Sequence, residues 1–330
     1  MKNDLALHKI LINKRVQGWV RPADWLPMPD IPAGEQKAIL LVGIYSDVPD
    51  MTQMFTVYSG TYTVDWGDGS PPENIIGTSG HAYDYAALPE ATLTPDGYKQ
   101  VVITISCPNF TDLSISNNFK SHFAILDISV RAPSMNGLSI QASYYAQRLR
   151  FFGPANLTSL NLNGGAFETV YFEDPNPTKT ERWFRNCYRI TDIDLNMAGK
   201  TITSLERIAE YNYAVKSVNL HGVKVSGTSV AAFYNCSSLE EVLGIDVENA
   251  TSLSSMFAYC YKLRRANITG IALNISFADC LIHRDELVEI FNNLKTVSGQ
   301  TITITNNPGA ASLTAAERAI ATDKGWTITG

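Results

Sequence analysis

Polar and apolar residues alternate in short runs along most of the 330-residue chain, and the period of that alternation changes along its length. From about Gln36 to Pro108 the runs are strand-like: Ala38-Ile39-Leu40-Leu41-Val42-Gly43-Ile44, Met54-Phe55-Thr56-Val57-Tyr58, Tyr62-Thr63-Val64-Asp65-Trp66 and Val101-Val102-Ile103-Thr104-Ile105. They are rich in β-branched and aromatic residues and are separated by turns such as Gly67-Asp68-Gly69-Ser70, which predicts a β-sandwich. Beyond Pro108 the alternation becomes a ladder of apolar-x-apolar triplets, at Leu113-x-Ile115, Leu126-x-Ile128, Leu138-x-Ile140, Leu149-x-Phe151, Leu160-x-Leu162 and Val170-x-Phe172. Their first positions advance by 13, 12, 11, 11 and 10 residues. Further triplets at Ile193-x-Leu195, Val218-x-Leu220 and Ala266-x-Ile268, with a looser one near Val242, advance by 23, 25, 24 and 24. A recurring period of this size predicts a solenoid.

The two ends of the chain read differently. From Leu281 onward, Leu287, Ile290, Phe291 and Leu294 fall on one helical face, Thr301 to Thr305 alternates like a strand, and Thr314-x-x-Glu317 forms a capping-box sequence. Gly325 ends that second helix and Trp326-Thr327-Ile328 reads as a last strand, so the segment is expected to cover the open end of the solenoid. Residues 1 to 36 contain Pro22, Pro27, Pro29 and Pro32, which exclude helix and favour an extended path. Two readings fit that segment: a flexible leader, or an arm that docks Trp19, Arg21, Trp25 and Leu26 on another subunit. The expected fold is therefore mainly β with short helices, divided into an arm (1–36), an Ig-like sandwich (37–108), a solenoid (109–280) and an α/β cap (281–330).

A second signature precedes the longer-period triplets: Phe184-x-Asn186-Cys187-x-x-Ile190, Phe233-x-Asn235-Cys236-x-x-Leu239, Phe257-x-Tyr259-Cys260-x-x-Leu263 and Phe277-x-Asp279-Cys280. Tyr211-Asn212-x-x-Val215 stands at the beat where a cysteine is missing. These units resemble the BspA-like leucine-rich repeats of bacterial and phage surface proteins. The sandwich segment has its own resemblance, carried by Tyr62-x-Val64-x-Trp66-Gly67-Asp68-Gly69, His81-x-Tyr83 and Gly97-Tyr98-x-x-Val101-x-Ile103. It is similar to the polycystic-kidney-disease (PKD) type of immunoglobulin-like domain.

Four of the five cysteines are thus repeat positions, and the fifth is Cys107; with no CxxC pair, they read as a packed interior row of free thiols, with neither disulfides nor metal. Asp65 and Asp68 supply too few oxygens for a calcium site, and His81 has no nucleophile beside it. The five histidines are dispersed and no catalytic motif is present, so the chain is not expected to be an enzyme or to carry a cofactor. Only 18% of residues are charged and the net charge is −6, which argues against nucleic acid and anionic membranes as partners, and no window of eighteen or more apolar residues is present, so membrane insertion is not expected. The N-terminal sequence lacks the features of a signal peptide, so export by the usual route is not expected.

In each triplet the central residue is expected to leave the sheet face: Ser114, Asp127, Ser139, Arg150, Asn161, Tyr171, Asp194, Asn219 and Asn267. A solvated strand face accounts for them; the alternative is a ligand groove for glycan or protein, assisted by Tyr144, Tyr145, Phe151 and Phe152. Arg21-Pro22-x-Asp24-Trp25-Leu26-Pro27 followed by Gly34-Glu35-Gln36-Lys37 adds a resemblance to phage structural proteins. Together the resemblances imply a virion-surface protein made in the host cytoplasm: a fibre, tail-associated or decoration subunit bound to other virion proteins (tail, portal-proximal or capsid), homo-oligomeric or single, and adhering to a host glycan or protein. A bacterial cell-surface adhesin is the second reading, and a glycan-processing enzyme on a repeat scaffold the third.

Overall fold

The computed structural model describes residues 19–48, 54–116, 122–141 and 145–330. The fold is mainly β, with two α-helices among the described residues, and it contains a β-solenoid of about nine turns. The chain divides into two compact units, residues 1–155 with 165–173, and residues 156–164 with 174–330.

In the first unit the strands are β1 (Lys37–Ile44), β2 (Phe55–Asp65), β3 (Glu73–Ser79), β4 (Lys99–Ser106), β5 (Asp112–Ser116), β6 (Phe123–Arg131), β7 (Gly137–Gln141) and β8 (Arg148–Ala155). Strand β1 lies antiparallel between β4 and β6, and β2 changes partner along its length, pairing β5 at Phe55 to Val57 and β4 at Thr63 to Asp65. The strands on either side of Pro108, assigned from the sequence to a sandwich and to a solenoid, therefore share one sheet. The ladder explains its own short steps here. Leu113 of β5 pairs in parallel with Leu138 of β7, and Ile128 of β6 with Leu149 of β8, so alternate triplets belong to two columns and each turn carries two strands. The true period is 25 and 21 residues in those columns, close to that of the later repeats.

The turn after β2 is interlocked by side chains. Asp65 accepts from Gly67 N at 2.9 Å, the Tyr83 hydroxyl donates to the Trp66 carbonyl at 2.9 Å, and the His81 ring stacks on Trp66 at 4.6 Å. Gly67 has φ +76°, and a Cβ there would stand 2.4 Å from the Val102 carbonyl oxygen, so only glycine fits.

The second unit contains β9 (Ser159–Asn161), then, after β10 (Thr169–Pro175) at its border with the first, β11 (Asp192–Asp194), β12 (Thr201–Ser204), β13 (Ser217–Thr228), β14 (Glu241–Asp246) and β15 (Arg265–Thr269). Strands β11, β13, β14 and β15 run parallel with Ile193, Val218, Val242 and Ala266 in register, and β12 pairs the second half of β13. All four register residues are buried, and so are Leu195, Leu220, Ile245 and Ile268. The irregular spacing near Val242 is a bulge at Gly244, which has φ +72° and whose added Cβ would meet Gly222 N at 2.6 Å.

The chain is closed by β16 (Ile275–Ser276), α1 (Arg284–Asn293), β17 (Gln300–Thr303), α2 (Ala315–Thr322) and β18 (Trp326–Thr329). Strands β16, β17 and β18 form a parallel sheet. Leu287, Ile290 and Phe291 of α1 are buried, and α2 opens on a capping box between Thr314 and Glu317.

Candidate functional site

The turns that carry the Phe-x-x-Cys signature are not strands, yet their backbone is paired from one turn to the next. The N–H groups of Arg207, Ala209 and Tyr211 donate to the carbonyls of Val230, Ala232 and Tyr234, and those of Ala231, Phe233 and Asn235 to Ser254, Met256 and Ala258. This geometry places non-glycine residues in the left-handed region at two sites per turn: Arg182 and Asn186, Arg207 and Tyr211, Ala231 and Asn235, Ser255 and Tyr259. Each such residue costs roughly 1–2 kcal/mol, offset by the hydrogen bonds to the neighbouring turn.

Inside these turns the phenylalanines stack, Phe233 on Phe257 at 5.6 Å and Phe257 on Phe277 at 5.2 Å. The cysteines do more than fill space. Cys187, Cys236 and Cys260 donate their thiols to the carbonyls of Leu162, Ala209 and Phe233, at 3.3, 3.0 and 3.0 Å. Burial raises all three thiols, that of Cys236 to about 12, so they are neutral donors and not nucleophiles or ligands. At the missing beat Asn212 is fully buried and neither atom of its amide has a hydrogen-bond partner. In the closing unit Asn307 takes over the donor role, its amide nitrogen reaching the Phe277 carbonyl at 2.6 Å.

On the outside of the same turns runs a row of tyrosines. The residues next to the cysteine position are Tyr188, Tyr211, Tyr213, Tyr259 and Tyr261, and Tyr234 stands two before Cys236. Tyr188 stacks on Tyr213 (5.7 Å, 6°), Tyr213 meets Tyr211 (6.5 Å), Tyr211 meets Tyr234 edge-on (5.6 Å, 81°), Tyr234 meets Tyr259 likewise (5.2 Å, 83°), and Tyr259 meets Tyr261 (6.1 Å). Tyr188, Tyr213, Tyr259 and Tyr261 are each about half exposed, at 45–51%. The Tyr234 phenol is held above its ordinary value by desolvation and by its hydrogen bond with Tyr259. Nearby, Glu210 is bracketed by Arg185 and Arg207, which leaves that stretch without an uncompensated carboxylate.

The residues singled out from the sequence are placed elsewhere. Asp194, Asn219 and Asn267 do share one outward row with Leu243, but each is engaged locally: Asp194 with His221 at 2.5 Å, Asn219 with the His221 N–H, and Asn267 with Glu289 of α1. Asn161 turns back on the Asn163 N–H, and Tyr171 is exposed. Arg150 donates to Ser129 and lies over Phe152. Tyr145 packs against the cluster around Trp25, and Tyr144 lies outside the described residues.

The docking arm is a correction. Trp19, Arg21, Trp25 and Leu26, expected to reach another subunit, are seated on their own chain. Trp25 is buried among Leu41, Tyr98, Ala124 and Leu126, with its Nε1 donating to the Tyr98 hydroxyl at 3.1 Å, and Trp19 donates to Gln147 at 3.0 Å. The Leu26 N–H donates to Gln100 at 2.8 Å, while Arg21 joins Arg148 around Asp127, itself 0% exposed. The arm thereby lies along β6, which is why Asp127, expected at a solvated face, is buried.

Among the described residues no group of three or more His, Cys, Asp or Glu is placed to hold a metal ion, and no helix is long and apolar enough to cross a membrane. No family model, curated protein or solved structure matches the chain. The tyrosine row is the feature that sequence reasoning passed over. Its signal lay in the residues flanking each cysteine beat, which the search for strand triplets did not inspect.

Proposed function

We propose that this protein is a non-catalytic attachment protein of a bacteriophage virion, a fibre, tail-associated or decoration subunit. Its first unit would hold a PKD-type Ig-like module, and its second would be a BspA-like leucine-rich-repeat solenoid that faces a host surface. The tyrosine row carries this reading: half-exposed aromatic rings with phenol hydroxyls, repeated over successive turns of a rigid scaffold, suit recognition of a partly hydrated partner. The interlock of Trp66, His81 and Tyr83 supports the Ig-like assignment, since it gives the matching motif residues a packing role. The thiol-to-carbonyl contacts do the same for the repeat assignment.

Immunogold electron microscopy of purified particles, with an antibody raised against the solenoid, tests the proposal. Label on tail or head supports it. Label on a bacterial envelope with none on particles would replace it with a cell-surface adhesin, for which the same row would serve.

A further inference from the structure

We infer that the tyrosine row of the solenoid turns binds an extended, uncharged polysaccharide, with one sugar ring per turn along Tyr188, the Tyr211–Tyr213 pair, Tyr234 and Tyr259. This deepens the attachment reading and rests on it. Three observations select a glycan. First, the rings at Tyr211, Tyr234 and Tyr259 turn by 81° and 83° from one to the next, so the row offers aromatic faces and phenol edges in alternation. Aromatic faces suit the C–H faces of pyranose rings, and phenol hydroxyls suit their hydroxyl edges. Secondly, neighbouring rings on successive turns are 5.2–5.7 Å apart, close to the length of one sugar in a chain of equatorially linked pyranoses, so one turn of protein matches one sugar. Thirdly, the surroundings disfavour the other polymers. The aliphatic residues of these turns, Ile190, Val215, Leu239 and Leu263, are buried, so none of them is exposed to anchor an apolar peptide side chain. The two arginines beside the centre of the row are already paired with Glu210 and the chain carries a net charge of −6, a poor match to a phosphate backbone.

The test is affinity electrophoresis of the full-length protein in native gels containing dissolved mixed-linkage β-glucan, glucomannan or xylan. Three forms are compared: the natural chain, a Tyr213→Ala, Tyr234→Ala, Tyr259→Ala triple variant, and the same three positions changed to Phe. Circular dichroism spectra establish that all three are folded. The expected result is retardation of the natural chain by at least one gel, about a hundredfold weaker binding by the alanine variant, and binding by the phenylalanine variant within about tenfold of natural. No retardation of the natural chain, or equal retardation of the alanine variant, overturns the inference. If that happens while the protein is found on particles and adheres to host cells, the glycan assignment alone falls. If it is found on neither particles nor cells, the attachment reading falls with it.

Discussion

A thiol is a weak hydrogen-bond donor, but it is small enough to sit beside a stacked phenylalanine and polar enough to give a second hydrogen bond to a carbonyl that already accepts a backbone N–H, as at Ala209 and Phe233. That combination accounts for cysteine where alanine or serine would otherwise do. Two outcomes follow at single positions. All five cysteines are buried, so Ellman's reagent at pH 8 should titrate none of them in the native protein and all five in denaturant. Asn212→Cys should raise stability by about 1–3 kcal/mol in urea unfolding, because it replaces a buried amide without partners by the donor used in the other turns. A third concerns Asp68. Burial pushes its carboxyl up, but hydrogen bonds from Ser70 and His81 outweigh this and hold it below its ordinary value of 3.8. Because the unfolded chain binds the proton more readily, Asp68 adds stability above that value and loses it as pH falls through the lower folded one. The difference in melting temperature between natural protein and Asp68→Asn should therefore shrink between pH 6 and pH 3.

Among elements, the extended segment from Trp19 to Ile31 behaves as a strap over β6. It brings Arg21 to a carboxylate that would otherwise be exposed, and it roofs the apolar surface of Leu41, Ala124 and Leu126. Trp25→Ala should cost about 3–5 kcal/mol, through the lost indole and the opened site, and should make the strap cleavable by chymotrypsin after Trp19 under native conditions. Prolines and tryptophans in the sequence marked the strap as extended and adhesive, but not what it adheres to. Its partners, Asp127 and Gln147, lie more than a hundred residues away along the chain and carry no local pattern. The same blindness to pairing turned two columns of strands into one ladder of short steps: Leu113 and Leu138 are neighbours in space, whereas Leu113 and Leu126 are only successive in sequence. The later repeats were easier to read, because all but one of the turns there contain a motif, Phe-x-x-Cys, that marks the full period.

For the molecule as a whole, stability in a stacked array comes from contacts between adjacent turns, and a terminal turn without a neighbour exposes its interior row. The helices and strands after Cys280 supply that neighbour, with Phe277 N and Asp279 N paired to Thr303 and Thr305. Removing residues 281–330 should leave the row ending at Phe277 open and raise aggregation above that of the natural chain, measured by light scattering. That closing segment was legible from helical spacing and a capping box; the tyrosine row was not, because exposed tyrosines obey no burial periodicity and become a row only after the turns are stacked. The stacking has an evolutionary consequence. Asn235 and Tyr259 occupy equivalent points 24 residues apart, so an in-frame duplication or deletion of that interval by unequal recombination preserves every other contact in register. It would lengthen or shorten the tyrosine row by one strand spacing, about 4.8 Å. Variation in copy number, rather than point mutation, is then the simplest way for such a gene to change the length of that row.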